Sequence, residues 1–157
     1  MPTRELFGRY LEDFRVGEVI EHWPGRTVTE ADDVLFCMLT MNHHPLHSDA
    51  AYAEDTQFGQ RIVAGPLVYS LVFGMTVPVI SGKAIANLAT SEMRHSAPVF
   101  HGDTLYARSE VLAVRDSKSQ PDRGIVTVKT EGLNQKQEVV LEFQRAVMLP
   151  KRSASTA

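Results

Sequence analysis

The sequence predicts one α+β domain in which a curved antiparallel sheet wraps around a single long buried helix. An almost wholly apolar stretch of helical length occupies residues 66–80, near the middle of the chain. Four runs rich in Val, Leu, Thr and aromatic residues come after it. Because helices precede the block of strands instead of alternating with it, the order is typical of an α+β domain. We assign residues 1–150 to this domain and residues 151–157 to a polar, disordered tail.

Length and composition narrow the class of protein. The 157 residues include 16 Lys and Arg and 19 Asp and Glu, a formal charge of −3, and 43% of residues are apolar. A chain of this length can bury roughly 68–70% of its unfolded surface, so it needs no disulfide or metal to hold a core. The basic residues are scattered along the chain, which argues against binding to nucleic acid.

The cellular location is predicted from the single cysteine and from the apolar runs. Cys37 cannot form an internal disulfide, fits a reducing compartment, and is expected to be a small buried side chain. The N-terminus lacks the basic and then apolar pattern of a secretory signal. The longest apolar run, residues 62–80, contains glycine, proline and polar residues and is a poor membrane span. We therefore expect a cytoplasmic protein that does not bind a membrane.

The first part of the chain combines extended pieces with a helix. Residues 18–28 have the character of two extended pieces that separate at Pro24 and Gly25. A helix is expected to begin at Thr29, because Thr29-Glu-Ala-Asp32 has the Thr-x-x-Asp form of a capping box. The spacing of its apolar residues at i, i+3, i+4, i+7 and i+8 predicts one buried stripe. These residues are Ala31, Val34, Leu35, Met38 and Leu39.

A second helix is predicted from Pro66 to about Ile80. Proline is favoured at the first helical position, and Gly82 lies just past the expected end. Nearly every side chain between these two points is apolar. We therefore expect this helix to be enclosed on most of its sides, as the centre of the domain.

Four strands are predicted after the buried helix, at residues 85–94, 104–114, 124–133 and 138–149. A turn at residues 100–103, shaped by His101 and Asp103, precedes the second strand, and residues 134–137 suit a hairpin between the last two. One face of such a sheet packs on the buried helix. The other face or an edge stays free, so we expect a homodimer or a higher homo-oligomer.

The polar loop at residues 41–49, Met-Asn-His-His-Pro-Leu-His-Ser-Asp, is the candidate functional site. Three interpretations are open on the residues alone. Asn42 can end the first helix while the histidines face water. His43, His44 and His47 can bind a metal, but their spacing matches no common zinc motif, and we predict no metal. His47 can instead be the titrating group of an acid–base catalyst.

Residues 42–47, Asn-His-His-Pro-Leu-His, resemble the Gly-Asp-x-Asn-Pro-Leu-His signature of the MaoC-like (R)-specific enoyl-CoA hydratases. Residues 58–65 are similar to the Phe-x-Arg-Pro-Ile-x-His-Gly segment of that family, and residues 97–103 to its Pro-Val-Phe-x-Gly-Asp turn. The three motifs occur in the family's order, and the resemblance covers roughly residues 14–150. It implies a hot-dog fold, which agrees with the buried helix and the enclosing sheet.

The Asn-x-His-Pro-Leu-His form and the stretch at residues 117–128 resemble one subgroup of that family. The subgroup contains mesaconyl-CoA hydratases, also called β-methylmalyl-CoA dehydratases, and itaconyl-CoA hydratases. This resemblance implies reversible hydration of a short, branched or dicarboxylic enoyl-CoA. Coenzyme A then arrives as part of the acyl-CoA substrate, and no other cofactor is implied. The alternatives are an acyl-CoA thioesterase of the same fold and a catalytically silent acyl-CoA-binding subunit.

The resemblance also implies which residues act in catalysis. His47 matches the signature histidine, and Asn42 stands where the family has its catalytic Asp. An amide cannot take up a proton at neutral pH but can orient water, so His47 would transfer the proton, with help from His44 or Asp49. Gly65 precedes the buried helix, and its free N–H suits the negative charge that develops on a thioester oxygen. The alternative for Gly65 is a glycine that a tight loop requires.

Substrate binding is assigned to one loop histidine and four basic residues. His44 lies next to the catalytic candidates. Arg61 or Arg94 could pair with a carboxylate of the substrate, although an exposed strand arginine is the simpler interpretation. Lys118 and Arg123 could bind the phosphates of coenzyme A from a loop, although charged loop residues are usually only solvated.

Overall fold

The structure is a computed structural model that describes residues 7–152. The helices come early in these residues and the long strands come last, so the predicted α+β class is confirmed. In chain order, the main elements are β1 (Val19–Thr27), α1 (Glu30–Thr40), α2 (Pro45–Ser48), α3 (Ala50–Glu54), α4 (Gly65–Thr76), a π-helical turn (Val77–Ser81), β2 (Ala86–His95), β3 (Thr104–Asp116), β4 (Arg123–Leu133) and β5 (Val139–Pro150).

The strands of the described residues form one antiparallel sheet with the order β1-β3-β4-β5-β2. Side chains alternate between the two faces of a strand, and on β5 Leu141, Phe143 and Val147 are buried on the inner face. The predicted hairpin between β4 and β5 is confirmed, and the Asn134 N–H donates to the Glu138 carbonyl across it at 3.0 Å. This order leaves β1 and β2 as the two edges of the sheet.

The inner face of the sheet packs against α4. Val72 of this helix is fully buried at the contact. Gly132 on β4 allows the close approach, because a Cβ atom there would lie 2.7 Å from a methyl carbon of Val72. The π-helical turn extends the helical path to Ser81, so the predicted buried helix over residues 66–80 is confirmed. A sheet wrapped around one helix in this way is the hot-dog fold that the motifs implied.

Helix α1 begins where the sequence predicted but buries a different face. The Thr29 hydroxyl accepts from the Asp32 N–H at 3.2 Å, and the Asp32 carboxylate accepts from the Thr29 N–H at 2.8 Å. The predicted buried stripe is wrong, since all five of its apolar residues are exposed. Asp33 and Cys37 face the protein instead. The reason is that α4 already covers the inner face of the sheet, so α1 packs on the loop before α4, where Asp33 finds its partners.

A row of polar side chains crosses the inner face of the sheet between two apolar clusters of the core. Nε2 of His22 on β1 lies 2.9 Å from Oγ of Ser109 on β3, and that oxygen lies 2.8 Å from Oγ1 of Thr130 on β4. Arg145 on β5 continues the row, and its guanidinium carbon lies 4.1 Å from the ring centroid of Phe73. We call the four side chains of His22, Ser109, Thr130 and Arg145 the inner-face row.

The end of the domain is tied back to earlier parts of the chain. Nζ of Lys151 lies 2.9 Å from the Asp116 carboxylate, and Arg152 forms an ion pair with Asp13. The rest of the predicted tail, residues 153–157, lies outside the described residues. In the part of the chain that the structure describes, no helix is both long enough and apolar enough to cross a membrane.

Candidate active site

A main-chain carbonyl orients the histidine at the end of the polar loop. His47 lies in the short helix α2, and its Nδ1 is 2.8 Å from the carbonyl oxygen of Ile62. A carbonyl oxygen can only accept, so Nδ1 donates this bond and carries the proton. In the neutral ring Nε2 is then left without a proton, which is the form that a general base requires.

The other polar residues of the loop have different surroundings. His44 caps α2, since its Nδ1 accepts from the Leu46 N–H at 3.1 Å, and its ring centroid lies 6.1 Å from that of His47. Met41, and not Asn42, adopts the left-handed conformation that ends α1, with φ 60°. Asn42 is half-buried, and its side-chain amide has no hydrogen-bond partner among the described residues. The amide is therefore open to a water molecule or a ligand.

The main chain before α4 ends in a free donor. The Val63 N–H donates to the Val99 carbonyl at 2.8 Å, and the Ala64 N–H donates to the Asp33 carboxylate at 2.9 Å. The next N–H belongs to Gly65, the first residue of α4, and it has no acceptor among the described residues. A free N–H at the start of a helix carries a partial positive charge, so this position can stabilise an anionic oxygen.

The buried carboxylate of Asp33 holds this segment in place. Its Oδ1 accepts from the Ala64 N–H, and its Oδ2 lies 2.8 Å from Nε2 of His101. Asp33 is fully buried, and both of its oxygens are paired. The Sγ of Cys37 lies 3.8 Å from Oδ1. Burial, followed by the charge of Asp33, raises the pKa of the Cys37 thiol to about 11, and the predicted small buried side chain is confirmed.

A cleft of about 310 Å³ opens in front of α4. Gly65 lines it, and so does Ile62, whose carbonyl holds His47. Among the described residues of the lining, the polar side chains are His95 and Ser96. The apolar side chains are Phe58, Ile62, Val63, Val68, Ala97, Pro98 and Val99. A small, mostly apolar cleft with a few directed polar groups is suited to a short acyl chain.

The structure brings neither of the two predicted carboxylate-binding arginines to this cleft. Arg61 forms an ion pair with Glu30, whose pKa is held below its usual value by this contact, and it lines a separate groove. Arg94 lies 3.8 Å from Glu142, on the outer face of the sheet. Both positive charges are therefore already paired with carboxylates away from the acyl site.

Lys118 and Arg123 lie at the far end of the sheet. Arg123 is opposite Pro150 at the end of β5, whereas the cleft adjoins Leu141 at the beginning of that strand. Positions 141 and 150 are nine residues apart on β5, a separation of roughly 30 Å along the strand. Arg123 also forms two bonds with the neighbouring Asp122, at 2.7 and 2.9 Å. Neither basic residue reaches the cleft of its own chain.

Two residues at the site, Asp33 and His95, are not predicted by any sequence pattern. Asp33 follows the capping residue Asp32, and acidic residues are common in the first turn of a helix, so no local signal distinguishes the buried carboxylate from the exposed one.

The predicted turn before β3 is confirmed, since Asp103 accepts from a main-chain N–H within it at 2.8 Å. His101 does more than shape that turn, because it reaches back to Asp33.

Comparison with known proteins places this chain among relatives with named activities. The family described as "MaoC like domain" matches residues 13–133, which include the polar loop, the start of α4 and His95. Mesaconyl-CoA hydratase of Cereibacter sphaeroides is 41% identical over 148 residues, which are 94% of this chain and 43% of that protein. Beta-methylmalyl-CoA dehydratase of Chloroflexus aurantiacus is 41% identical over 145 residues, 92% of this chain and 41% of that protein.

A solved structure has the same fold. A MaoC domain protein described as a dehydratase, from Chloroflexus aurantiacus, matches with a TM-score of 0.88 and 41% identity over 92% of this chain and 41% of that chain. The chain thus spans less than half the length of the three relatives described here.

Proposed function

The chain belongs to the MaoC-like domain family, and from that premise we propose that it adds water reversibly to the double bond of an enoyl-CoA thioester. The acyl group that we propose is short and either branched or dicarboxylic. The enzyme is then a hydro-lyase. One juxtaposition carries the proposal: Ile62 and Gly65 both line the cleft, the Ile62 carbonyl accepts the Nδ1–H of His47, and the Gly65 N–H has no acceptor among the described residues.

His47 and the Gly65 N–H have different roles in the proposed reaction. Nε2 of His47 takes a proton from a water molecule. The water oxygen bonds to the β-carbon, and the electrons of the double bond move toward the thioester oxygen. The Gly65 N–H, at the positive end of α4, stabilises the negative charge on that oxygen. The imidazolium of His47 then gives its proton to the α-carbon, so one water has been added and the histidine is neutral again.

Asn42 has a narrower role in this scheme, because its amide can orient the water but cannot carry its proton. The open amide of Asn42 supports that role. The other loop candidates are already engaged: Nδ1 of His44 accepts from the Leu46 N–H, and the Asp49 carboxylate accepts from a main-chain N–H of α3 at 3.0 Å. We therefore assign proton transfer to His47 alone.

The proposed substrate follows from the cleft and from the relatives. A cleft of about 310 Å³ with a mainly apolar lining favours a short acyl chain. The two curated relatives at 41% identity are named for mesaconyl-CoA and beta-methylmalyl-CoA, thioesters of branched dicarboxylic acids. Coenzyme A is part of the substrate in this proposal, and no separate cofactor is required. We also propose a cytoplasmic location, which the single cysteine favours.

We further propose that the protein assembles as a homodimer or higher homo-oligomer through β2. This edge strand is ten residues long, and eight of them are exposed. Leu88 and Met93 are 46% and 44% exposed on it, and a long uncovered edge strand offers unpaired N–H and C=O groups to a second chain. Sedimentation velocity at micromolar concentration should show a dimer or a larger species. A folded, fully active monomer would contradict this assembly.

The activity is tested with mesaconyl-CoA, crotonyl-CoA and a saturated acyl-CoA, by following the absorbance of the conjugated double bond and the release of free thiol. Hydration lowers the absorbance of the two enoyl thioesters without releasing thiol. Release of thiol from all three substrates would identify a thioesterase instead. Binding with neither change would identify a silent acyl-CoA-binding subunit. Either of the last two results would overturn the proposed hydratase activity.

A further inference from the structure

One ionisable side chain in the cleft has no part in the mechanism above. His95 lines the cleft beside Gly65, and the other described side chains of the lining are apolar apart from Ser96. Within residues 7–152, the imidazole of His95 has neither a hydrogen-bond partner nor an ion-pair partner. A titratable ring that is unpaired in an otherwise apolar cleft is a candidate to bind a polar part of the ligand.

A β-bulge in β2 directs His95 to the cleft. Between the pairs at Ser91 and Arg94, three steps on β2 match two steps on β5. Glu92 lies in this interval with φ 51°. The additional residue shifts the alternation of the strand by one position, so Arg94 lies on the outer face beside Glu142. His95 is exposed at the end of β2, and it lies opposite the buried Leu141 on the inner face. Bulges commonly redirect a side chain in this way next to binding sites.

The ring of His95 lies against the backbone of Gly65. A Cβ atom on Gly65 would be 3.0 Å from Cε1 and 3.1 Å from Nε2 of the ring. In the proposed reaction the thioester oxygen binds the Gly65 N–H, so the acyl group lies beside this ring. If the acyl group carries a carboxylate on its β-carbon, three carbon–carbon bonds separate that carboxylate from the thioester carbon, a span of about 4 Å. The carboxylate is then within reach of the imidazole.

A dicarboxylic acyl group needs such a partner. An ionised carboxylate is strongly disfavoured in an apolar site that offers no donor or opposite charge. Arg61 and Arg94 are paired with Glu30 and Glu142 outside the cleft. Histidine offers ring N–H donors and can carry a positive charge near neutral pH. His95 is therefore the suitable group among the described residues of the lining.

We infer that His95 is a specificity-determining residue that binds the distal carboxylate of a dicarboxylic acyl-CoA. The inference rests on the proposed function, because a thioester held at the Gly65 N–H is what brings the carboxylate to the ring. It requires the protein to prefer a carboxylated acyl-CoA over an uncharged one of equal length. Removing the ring nitrogens should abolish that preference and leave the binding of the uncharged acyl chain unchanged.

Binding of unreactive analogues tests the inference separately from hydration. Succinyl-CoA and butyryl-CoA have equal chain lengths and no double bond, and titration calorimetry gives their affinities. Wild type should bind succinyl-CoA more tightly. His95→Phe should weaken succinyl-CoA binding about tenfold or more, the loss expected for one charge-assisted hydrogen bond, without changing butyryl-CoA binding. His95→Gln keeps a hydrogen-bond donor, and its affinity for succinyl-CoA should lie between those of wild type and His95→Phe.

Arg94→Gln is the matched control, because it removes a charge from the adjacent residue on the opposite face of β2. It should keep the preference for succinyl-CoA, and thermal melting should show that all three variants are folded. Equal affinities of wild type for the two analogues would overturn the inference, and so would a preference that persists in His95→Phe.

Kinetics separate the inference from the activity on which it rests. Loss of the preference in His95→Phe supports the assignment even if wild type hydrates neither enoyl-CoA, and the proposed function alone then fails. If wild type hydrates the enoyl-CoA substrates but His95→Phe keeps the preference for succinyl-CoA, the proposed function stands and the inference about His95 is overturned. A fall in kcat with unchanged KM, equal for mesaconyl-CoA and crotonyl-CoA, would also overturn the inference, because it would identify His95 as a proton-transfer group.

Discussion

Asp33 and Arg145 are both buried ionisable residues, but their surroundings differ. Both oxygens of the Asp33 carboxylate are paired, one with the Ala64 N–H and one with His101. The three guanidinium nitrogens of Arg145 have no hydrogen-bond partner among the described residues, and neither does Nδ1 of His22 in the same inner-face row. The paired carboxylate lies beside the free N–H of Gly65, whereas the inner-face row lies within the core of the sheet.

The difference in pairing has electrostatic consequences. Burial lowers the pKa of Arg145 to about 10, and burial together with the charge of Arg145 lowers the pKa of His22 to about 4. These shifts mean that the core disfavours positive charge in the inner-face row. The Asp33 carboxylate, by contrast, is fully paired, and it holds the segment that carries the Gly65 N–H of the proposed reaction. We expect changes near the cleft to affect activity and changes in the inner-face row to affect stability.

The largest expected effect is on activity at the cleft. His47→Ala should lower kcat/KM by about 10²–10⁴, the range for removal of a general acid–base group, while the variant stays folded. Hydration assays and thermal melting on the same preparation check both parts. His43→Ala, in the same loop but exposed, is the control and should keep full activity. A loss of less than tenfold in folded His47→Ala would remove His47 from the proposed role.

The next largest effect is expected at Asp33. Asp33→Ala leaves the Ala64 N–H and His101 without their partner in a buried site, and it should lower the free energy of unfolding by about 3 kcal/mol. Asp33→Asn keeps an acceptor for the Ala64 N–H and should lose less. Urea denaturation measures both changes. If the free energy of unfolding of Asp33→Ala is within about 0.5 kcal/mol of wild type, the usual range for surface substitutions, the pairing of Asp33 does not stabilise the fold.

A smaller effect is expected from acid on the inner-face row. The unfolded chain protonates His22 near its ordinary pKa of 6.5, whereas the folded protein does so near 4. Between these values the unfolded state binds more protons, so stability is fully present above pH 6.5 and falls as the pH drops toward 4. At about 1.4 kcal/mol for each pKa unit, the loss should not exceed roughly 3 kcal/mol. His22→Gln should remove this part of the pH dependence, and equal slopes for both proteins would contradict the assignment.

The smallest effect is expected at Arg145. Arg145→Met replaces an unpaired buried charge by an apolar side chain and should raise the free energy of unfolding by about 1 kcal/mol, because the lost contact with the Phe73 ring offsets part of the gain. Arg108→Met, on the outer face beside Glu131, is the control and should change stability by less than about 0.5 kcal/mol. Destabilisation of Arg145→Met by more than about 1 kcal/mol would indicate an anionic partner in the core.

The elements that the sequence predicted correctly depend on residues close together in the chain. The capping box at Thr29 and Asp32 spans four residues, and it starts α1 where expected. Proline in the first turn and an apolar run predicted α4, and long β-branched runs predicted β3, β4 and β5. His47 and Gly65 could be chosen as candidates because they lie in short motifs.

The sequence by itself therefore determined the fold class, the central helix and the four strands that follow it, and it singled out two candidate catalytic residues. Tertiary structure alone decided which face of α1 is buried, which partner His101 takes 68 residues away, and which way β2 turns His95. The physical reason is that local propensity and spacing depend on neighbouring residues. Burial depends on which element already covers the sheet, and a bulge depends on the strand across from it.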